Sequence, residues 1–197
     1  MLGHSKDYRN FRWFFTSSDV LVVGGKSDEQ NEEVIKQFLK PEYTVLHTSA
    51  PGSPFMIIQS EQADKTDIEE AAIFCACFSQ SWKKNIGEKI KVDIFKGNQM
   101  FKSRVMKKGT FAVKGEKKTM TVKPELILIY QKGKMRAVPN TKAFIKKSEI
   151  LAEISQGKLS KEESANIIIK KIKDKYQLPV SKDEIMAAIP SDKLNVK

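Results

Sequence analysis

The sequence is poor in the residues that build metal centres and disulfide frameworks. It holds two cysteines and two histidines in 197 residues. Cys75 and Cys77 stand two apart within a predicted helix, so they point to different faces, and the geometry disfavours a bond between them. They are expected as small buried thiols. With only His4 and His47 to add, a four-ligand zinc site is not expected. Long apolar runs are also missing. The longest, at 126–130 and 167–169, fall far short of the roughly 20 residues that span a bilayer. The first seven residues lack the apolar stretch of a signal peptide. These absences predict a cytoplasmic chain with no membrane partner.

What the sequence has in excess is lysine, and the lysine is unevenly placed. The formal net charge is +11. Residues 1–82 carry 7 Lys+Arg against 12 Asp+Glu, residues 83–147 carry 19 against 4, and residues 148–197 carry 9 against 8. The middle third thus concentrates more than the whole excess, enough to attract a polyanion such as nucleic acid. A solvated lysine-rich surface is the plainer alternative, and charge alone does not separate RNA from DNA or anionic lipid.

Hydrophobic periodicity predicts an α+β fold: a mixed, mostly antiparallel sheet with two packed helices, followed by a small helical appendage. Strands are predicted at 11–16 and 20–23, joined by Ser17-Ser18-Asp19. Ser27 caps a helix with Gln30 completing the box. Strands follow at 43–46 and 55–58, around a Pro51-Gly52-Ser53-Pro54 loop. A long helix is expected over 67–84, opened by Thr66 and Glu69. Candidate strands at 90–95, 99–104, 110–113, 119–122, 126–130 and 135–138 read as one lysine-faced meander. Helices near 148–155, 160–176 and 182–188 close the chain, with breaks at Gly157 and Pro179. A boundary is placed near 140, dividing 1–140 from a helical extension over 141–197.

Motifs for catalysis are weak. Gly24-Gly25-Lys26-Ser27 lies between a strand and a helix, but a P-loop needs a further glycine where Val20 stands. The glycines and Lys26 still suit an anion. His47 has no spaced carboxylate or nucleophile, and Gly52-Ser53 lacks the second glycine of a nucleophile elbow, since position 55 is Phe. Trp13, Phe14 and Phe15 suit either a core strand or a base-stacking platform. Lys107-Lys108-Gly109 and Lys114-Gly115-Glu116-Lys117-Lys118 are turn-borne clusters with open access to a phosphate backbone. No cofactor is expected.

An ordered set of segments resembles the NFACT-R family. It comprises Phe11-Arg12-Trp13-Phe14 with Ser17-Ser18, Leu21-Val22-Val23-Gly24-Gly25-Lys26, Asn31-Glu32, and His47 followed by Pro51-Gly52-Ser53. Glu70-Ala71-Ala72, Ser79-Gln80-Ser81-Trp82, Lys107-Lys108-Gly109-Thr110-Phe111 and Lys117-Lys118-Thr119 complete it, over about residues 10–124. The resemblance implies a non-enzymatic RNA-binding domain, contacting rRNA or tRNA at a stalled large ribosomal subunit. Arg12, Lys26, His47, Ser53, Lys107, Lys108, Lys114, Lys117 and Lys118 are the expected RNA-binding residues. The chain departs from the family where many members have arginine at Lys26, and Ala-Asp at Thr48-Ser49. It resembles the stand-alone members, so the peptide-tailing activity of larger relatives is not expected of it. Two other readings stay open: a nucleic-acid-processing enzyme centred on His47, and an adaptor whose C-terminal helices dock a protein through Ile167, Ile168 and Ile172.

Overall fold

A computed structural model of the chain describes residues 7–84, 86–176 and 180–197. His4 and the expected break at Pro179 lie outside those residues. Strand β1 (Arg12–Phe15) pairs with β2 (Leu21–Gly24) as an antiparallel hairpin, Trp13 opposite Val23. Helix α1 (Asp28–Phe38) follows, and Ser27 caps it by accepting from the Gln30 amide. The Gln30 side chain reaches back to the Lys26 amide instead of to Ser27. Strands β3 (Thr44–Thr48) and β4 (Met56–Ile58) flank the Pro51-Gly52-Ser53-Pro54 loop.

The expected helix over 67–84 is two helices, α2 (Lys65–Cys77) and α3 (Gln80–Lys84). At the break, the Ser79 hydroxyl donates to the Ala76 carbonyl at 2.8 Å, a local bond that competes with helix continuation. The cap is Asp64, not Thr66: Asp64 and Asp67 form a reciprocal box two residues earlier.

Strand β5 (Ile90–Lys96) pairs with β3, and the short β6 (Met100–Phe101) and β7 (Ala112–Val113) make a separate ribbon. Strand β8 (Lys118–Val122) returns to β5, giving a six-stranded sheet of order β1-β2-β4-β3-β5-β8. Strands β9 (Leu126–Gln131) and β10 (Lys134–Pro139) leave it. After α4 (Lys142–Lys147) they pair through β9 with β11 (Ala152–Leu159), which in turn pairs with β12 (Leu194–Val196). The lysine-rich block is therefore not one meander but is shared among three sheets. Helices α5 (Lys161–Tyr176) and α6 (Lys182–Ala188) pack beside the second sheet. The helix expected near 148–155 is strand β11, because its alternating residues find an open partner in β9. Ser148 ends α4 instead of starting a helix. The second sheet joins strands from both sides of residue 140.

Helix α2 lies between the sheets, touching β3, β4, β5 and β8 as well as β9 and β10. That position explains why it is apolar nearly all round, with Ala71 to Cys77 buried in succession. Burial pushes the Cys75 thiol up to about 12 and raises Cys77 well above the usual thiol range, so both are inert side chains of the core. Trp13 and Phe14 are core residues too; Phe14 packs on Phe74 with ring centroids 4.5 Å apart. On the opposite face of the six-stranded sheet, Val34 and Phe38 of α1 cover Val23, Val45, Ile57 and Phe95.

One carboxylate is fully enclosed here. Glu70 accepts from the Ser17 amide and the Thr141 hydroxyl, tying β1's turn to α4's cap. Burial raises its carboxyl above the usual range, against the pull of those hydrogen bonds. Folding then favours the protonated acid. This contribution to stability is full below the unfolded pKa and falls as pH climbs through the raised folded one. Glu70→Gln should remove that fall, since its amide can still accept from Ser17 while the Thr141 hydroxyl turns to accept. Denaturant titrations across the acidic range that give both proteins the same pH slope would contradict this.

Candidate nucleic-acid interface

The loop chemistry around α1 brings three separated segments together. Gly25 lets the chain pass under the helix: a Cβ there would sit 2.4 Å from the Asn31 Oδ1. Lys26 then folds back, its Nζ donating to the Asn10 carbonyl at 2.8 Å. The turn at 48–53 is closed by the Ser53 hydroxyl, which accepts from the Thr48 amide at 2.9 Å. From the other side, Gly109 at φ 74 lies against Asp28, where a Cβ would be 2.6 Å from its backbone. Its amide donates to Glu32.

Between these segments run two cavities that meet at Asp28, Asn31, Gly52 and Ser53. One, of about 420 Å³, contains the aromatic rings of His47, Phe55 and Phe111 together with Asp93 and Lys117. The other, of about 340 Å³, is lined by Arg12, Lys26, Lys83 and Phe78 among others.

Arg12 and Lys26, which line the second cavity, belong to a wider cluster of cations with Arg136 and Lys161. The Arg12 guanidinium lies 4.4 Å over the Phe78 ring, and burial lowers its pKa to about 10. Arg136 of β10 stacks 4.6 Å over Trp13, and burial lowers it as well. Lys26 is lowered by burial and then by the charges of Arg12 and Arg136. Lys161 at the start of α5 is lowered by burial and by Arg12, with Asp192 opposing. Among the described residues, none of these four side chains has an ion pair. The Arg12 Nε is buried with no hydrogen-bond partner, and so is the Asn31 Oδ1. Asp192 near Lys161 and Glu184 near Arg136 offset part of this charge; cations held together with too little counter-charge destabilise a fold unless an anion completes them.

The turn lysines are arranged differently. Lys108 pairs with Glu29 at 3.5 Å, Lys102 with Glu32, and Lys117 with Asp93. Part of the positive block is thus neutralised, two of these three times by helix α1. Lys114 lies 4.4 Å over Phe101, while Lys107 and Lys118 are exposed. The structure gathers Arg12, Lys26, His47 and Ser53 around the joined cavities, with Lys117 at their rim. Lys107, Lys108, Lys114 and Lys118 do not line them.

His47 sits opposite Asp93 in the β3–β5 pairing. Its Nδ1 is nonetheless hydrogen-bonded to the Thr48 carbonyl at 2.7 Å. Burial lowers its pKa, with that bond and Asp93 opposing. Asp93 is engaged by Lys117, Ser49 and Thr119, whose hydrogen bonds outweigh burial and hold its carboxyl below the usual range. No carboxylate orients the imidazole as a general base would require. Ile168 and Ile172 are buried, leaving only Ile167 of the suggested docking stripe exposed, at 42%.

Sequence reasoning missed Arg136, Lys161 and Lys83. Nothing local marks Arg136, whose place over Trp13 depends on how the two sheets meet. Asn31 was visible only as part of the family segment.

This arrangement defines an α+β polyanion-binding domain. Residues 10–115 match the NFACT protein RNA binding domain, and the chain belongs to that family. It is similar to the archaeal Rqc2 homolog aRqcH of Methanocaldococcus jannaschii, 31% identical over 120 residues, covering 57% of this chain and 17% of that protein. It is also similar to the ribosome quality control complex subunit NEMF of Homo sapiens, 27% identical over 82 residues, covering 40% and 8%. The chain thus spans less than a fifth of these relatives. The C-terminal part of the fibronectin/fibrinogen-binding protein from Streptococcus suis has a similar fold, with a TM-score of 0.53 at 20% identity over 61% of this chain and 47% of that one. No described helix is long and apolar enough to cross a membrane.

Proposed function

We propose that this protein binds RNA non-enzymatically in the cytoplasm, contacting rRNA or tRNA on the large ribosomal subunit during ribosome-associated quality control. The observation that carries the reading is the group of closely placed cations without an ion pair among the described residues: the half-buried Arg12, Arg136 and Lys161, with the exposed Lys26 beside them. A phosphate backbone supplies the missing charge and releases counterions as it does so. Lys107, Lys108, Lys114, Lys117 and Lys118 form an outer field that draws the strand in, weakened by the pairs to Glu29 and Asp93. The ribosomal setting is supported by the names of the similar proteins.

Anisotropy titrations of single-stranded RNA at graded salt test the binding itself. The logarithm of affinity should fall linearly with the logarithm of salt, by about 0.7 for each phosphate neutralised. Replacing Lys107, Lys108, Lys117 and Lys118 together with alanine should make the slope shallower by about 1.4, because two of the four already have acidic partners. Co-sedimentation with large ribosomal subunits tests the setting. Affinity that ignores salt would sink the reading.

A further inference from the structure

We infer that the joined cavities hold one unstacked ribonucleotide of the bound RNA, its base among the aromatic rings and its phosphate on Arg12, Lys26 and Lys83. This rests on the RNA-binding reading and adds what part of the RNA is recognised. Three observations support it.

The first is the division of chemistry along the groove. The larger cavity presents the His47, Phe55 and Phe111 rings, with His47 and Phe55 centroids 4.5 Å apart. At about 420 Å³ it is in the range of small-ligand sites, and rings of this kind accept a splayed base. Asp93 stands in that cavity, paired with Lys117, while Asp28 lies on the seam shared with its neighbour. The neighbouring cavity carries Arg12, Lys26 and Lys83. A base and its phosphate would be sorted to opposite ends.

The second is the pair of unsatisfied polar atoms. Arg12 Nε, a donor, lies at the phosphate end. Asn31 Oδ1, an acceptor on a residue only 7% exposed, lies on the seam between the cavities. Buried polar atoms left without partners are rare, and each needs an explanation.

The third is the position of that acceptor. Between base and phosphate comes the sugar, so the ribose would lie at this seam, where Asn31 Oδ1 packs against Gly25 and is the acceptor without a partner. The 2′-hydroxyl is a donor that DNA lacks. The groove therefore selects RNA over DNA through one side chain. A duplex offers no free base to the aromatic end, so the site takes single-stranded or looped RNA.

The test uses the full chain. Ribonucleoside 5′-monophosphates, their 2′-deoxy counterparts and inorganic phosphate are titrated by NMR, with a short single-stranded RNA and the DNA of the same sequence in parallel. The ribonucleotides should shift the resonances of Asn31 and His47. The 2′-deoxy forms should bind about fivefold more weakly, the effect of one hydrogen bond. Asn31→Leu should abolish that difference, and its thermal melt reports whether it is folded. The wild-type ribo-to-deoxy comparison decides the matter even if that variant does not fold. RNA and DNA strands bound equally, with no response at Asn31 or His47, would overturn the inference while leaving RNA binding intact. No binding of the RNA strand at all would overturn both.

Discussion

Replacing Arg12 and Lys26 together with methionine should weaken RNA binding by about 100-fold, since hydrogen bonds to charged groups contribute roughly 1.5–3 kcal/mol each. Methionine keeps the aliphatic packing that Arg12 makes over Phe78 and removes only the charge. The same change should raise the melting temperature of the RNA-free protein. Arg12 has its pKa lowered to about 10 by burial, so at neutral pH it is ionised in the folded protein at a desolvation cost that the unfolded chain does not bear. That cost fades only as pH rises through the lowered value. Lower affinity with higher stability is the signature of a residue kept for its ligand. Thermal scans and anisotropy titrations on one preparation measure both. A variant that melts earlier and binds normally would show Arg12 to be a structural residue.

A fragment of residues 1–140 should not fold cooperatively. Leu126, Ile127, Leu128 and Met135 belong to the same core as Ile154, Ile168, Ile185 and Leu194, all of them almost fully buried. Removing the second group strips the partners from one side of β9 and β10. Each large apolar side chain truncated in a core costs about 2–5 kcal/mol. Losing several at once exceeds the roughly 5–15 kcal/mol by which a domain is stable. The fragment should bind a hydrophobic dye and melt without a sharp transition, whereas the whole chain melts sharply. A fragment with a steep melt of its own would make the first 140 residues an autonomous domain.

The parts of this fold that were legible in the sequence are those fixed by neighbours. Ser27 caps its helix as the spacing predicts, because the bond is made within four residues. The β1–β2 hairpin follows from its turn chemistry in the same way. Strand β11 was read as helix because its conformation is decided by β9, more than twenty residues earlier. The site divides along the same line. Arg12, Lys26, His47 and Ser53 could be named from ordered family segments. The charge block suggested where a polyanion would be attracted, yet it pointed to lysines that Glu29, Glu32 and Asp93 partly neutralise. The cations left without an ion pair among the described residues include Arg136 and Lys161, which come to this cluster only through the docking of the second sheet and α5.

The side-chain amide of Gln131 meets the main chain of Phe15 with both of its ends, accepting from the amide and donating to the carbonyl at 2.8 Å each. A glutamine thereby occupies the bonding positions that an incoming strand would use at that end of β1. The opposite border, β8, presents Lys118 and two exposed threonines. One margin of the six-stranded sheet is stoppered and the other charged, so two copies of this protein are discouraged from joining that sheet edge to edge.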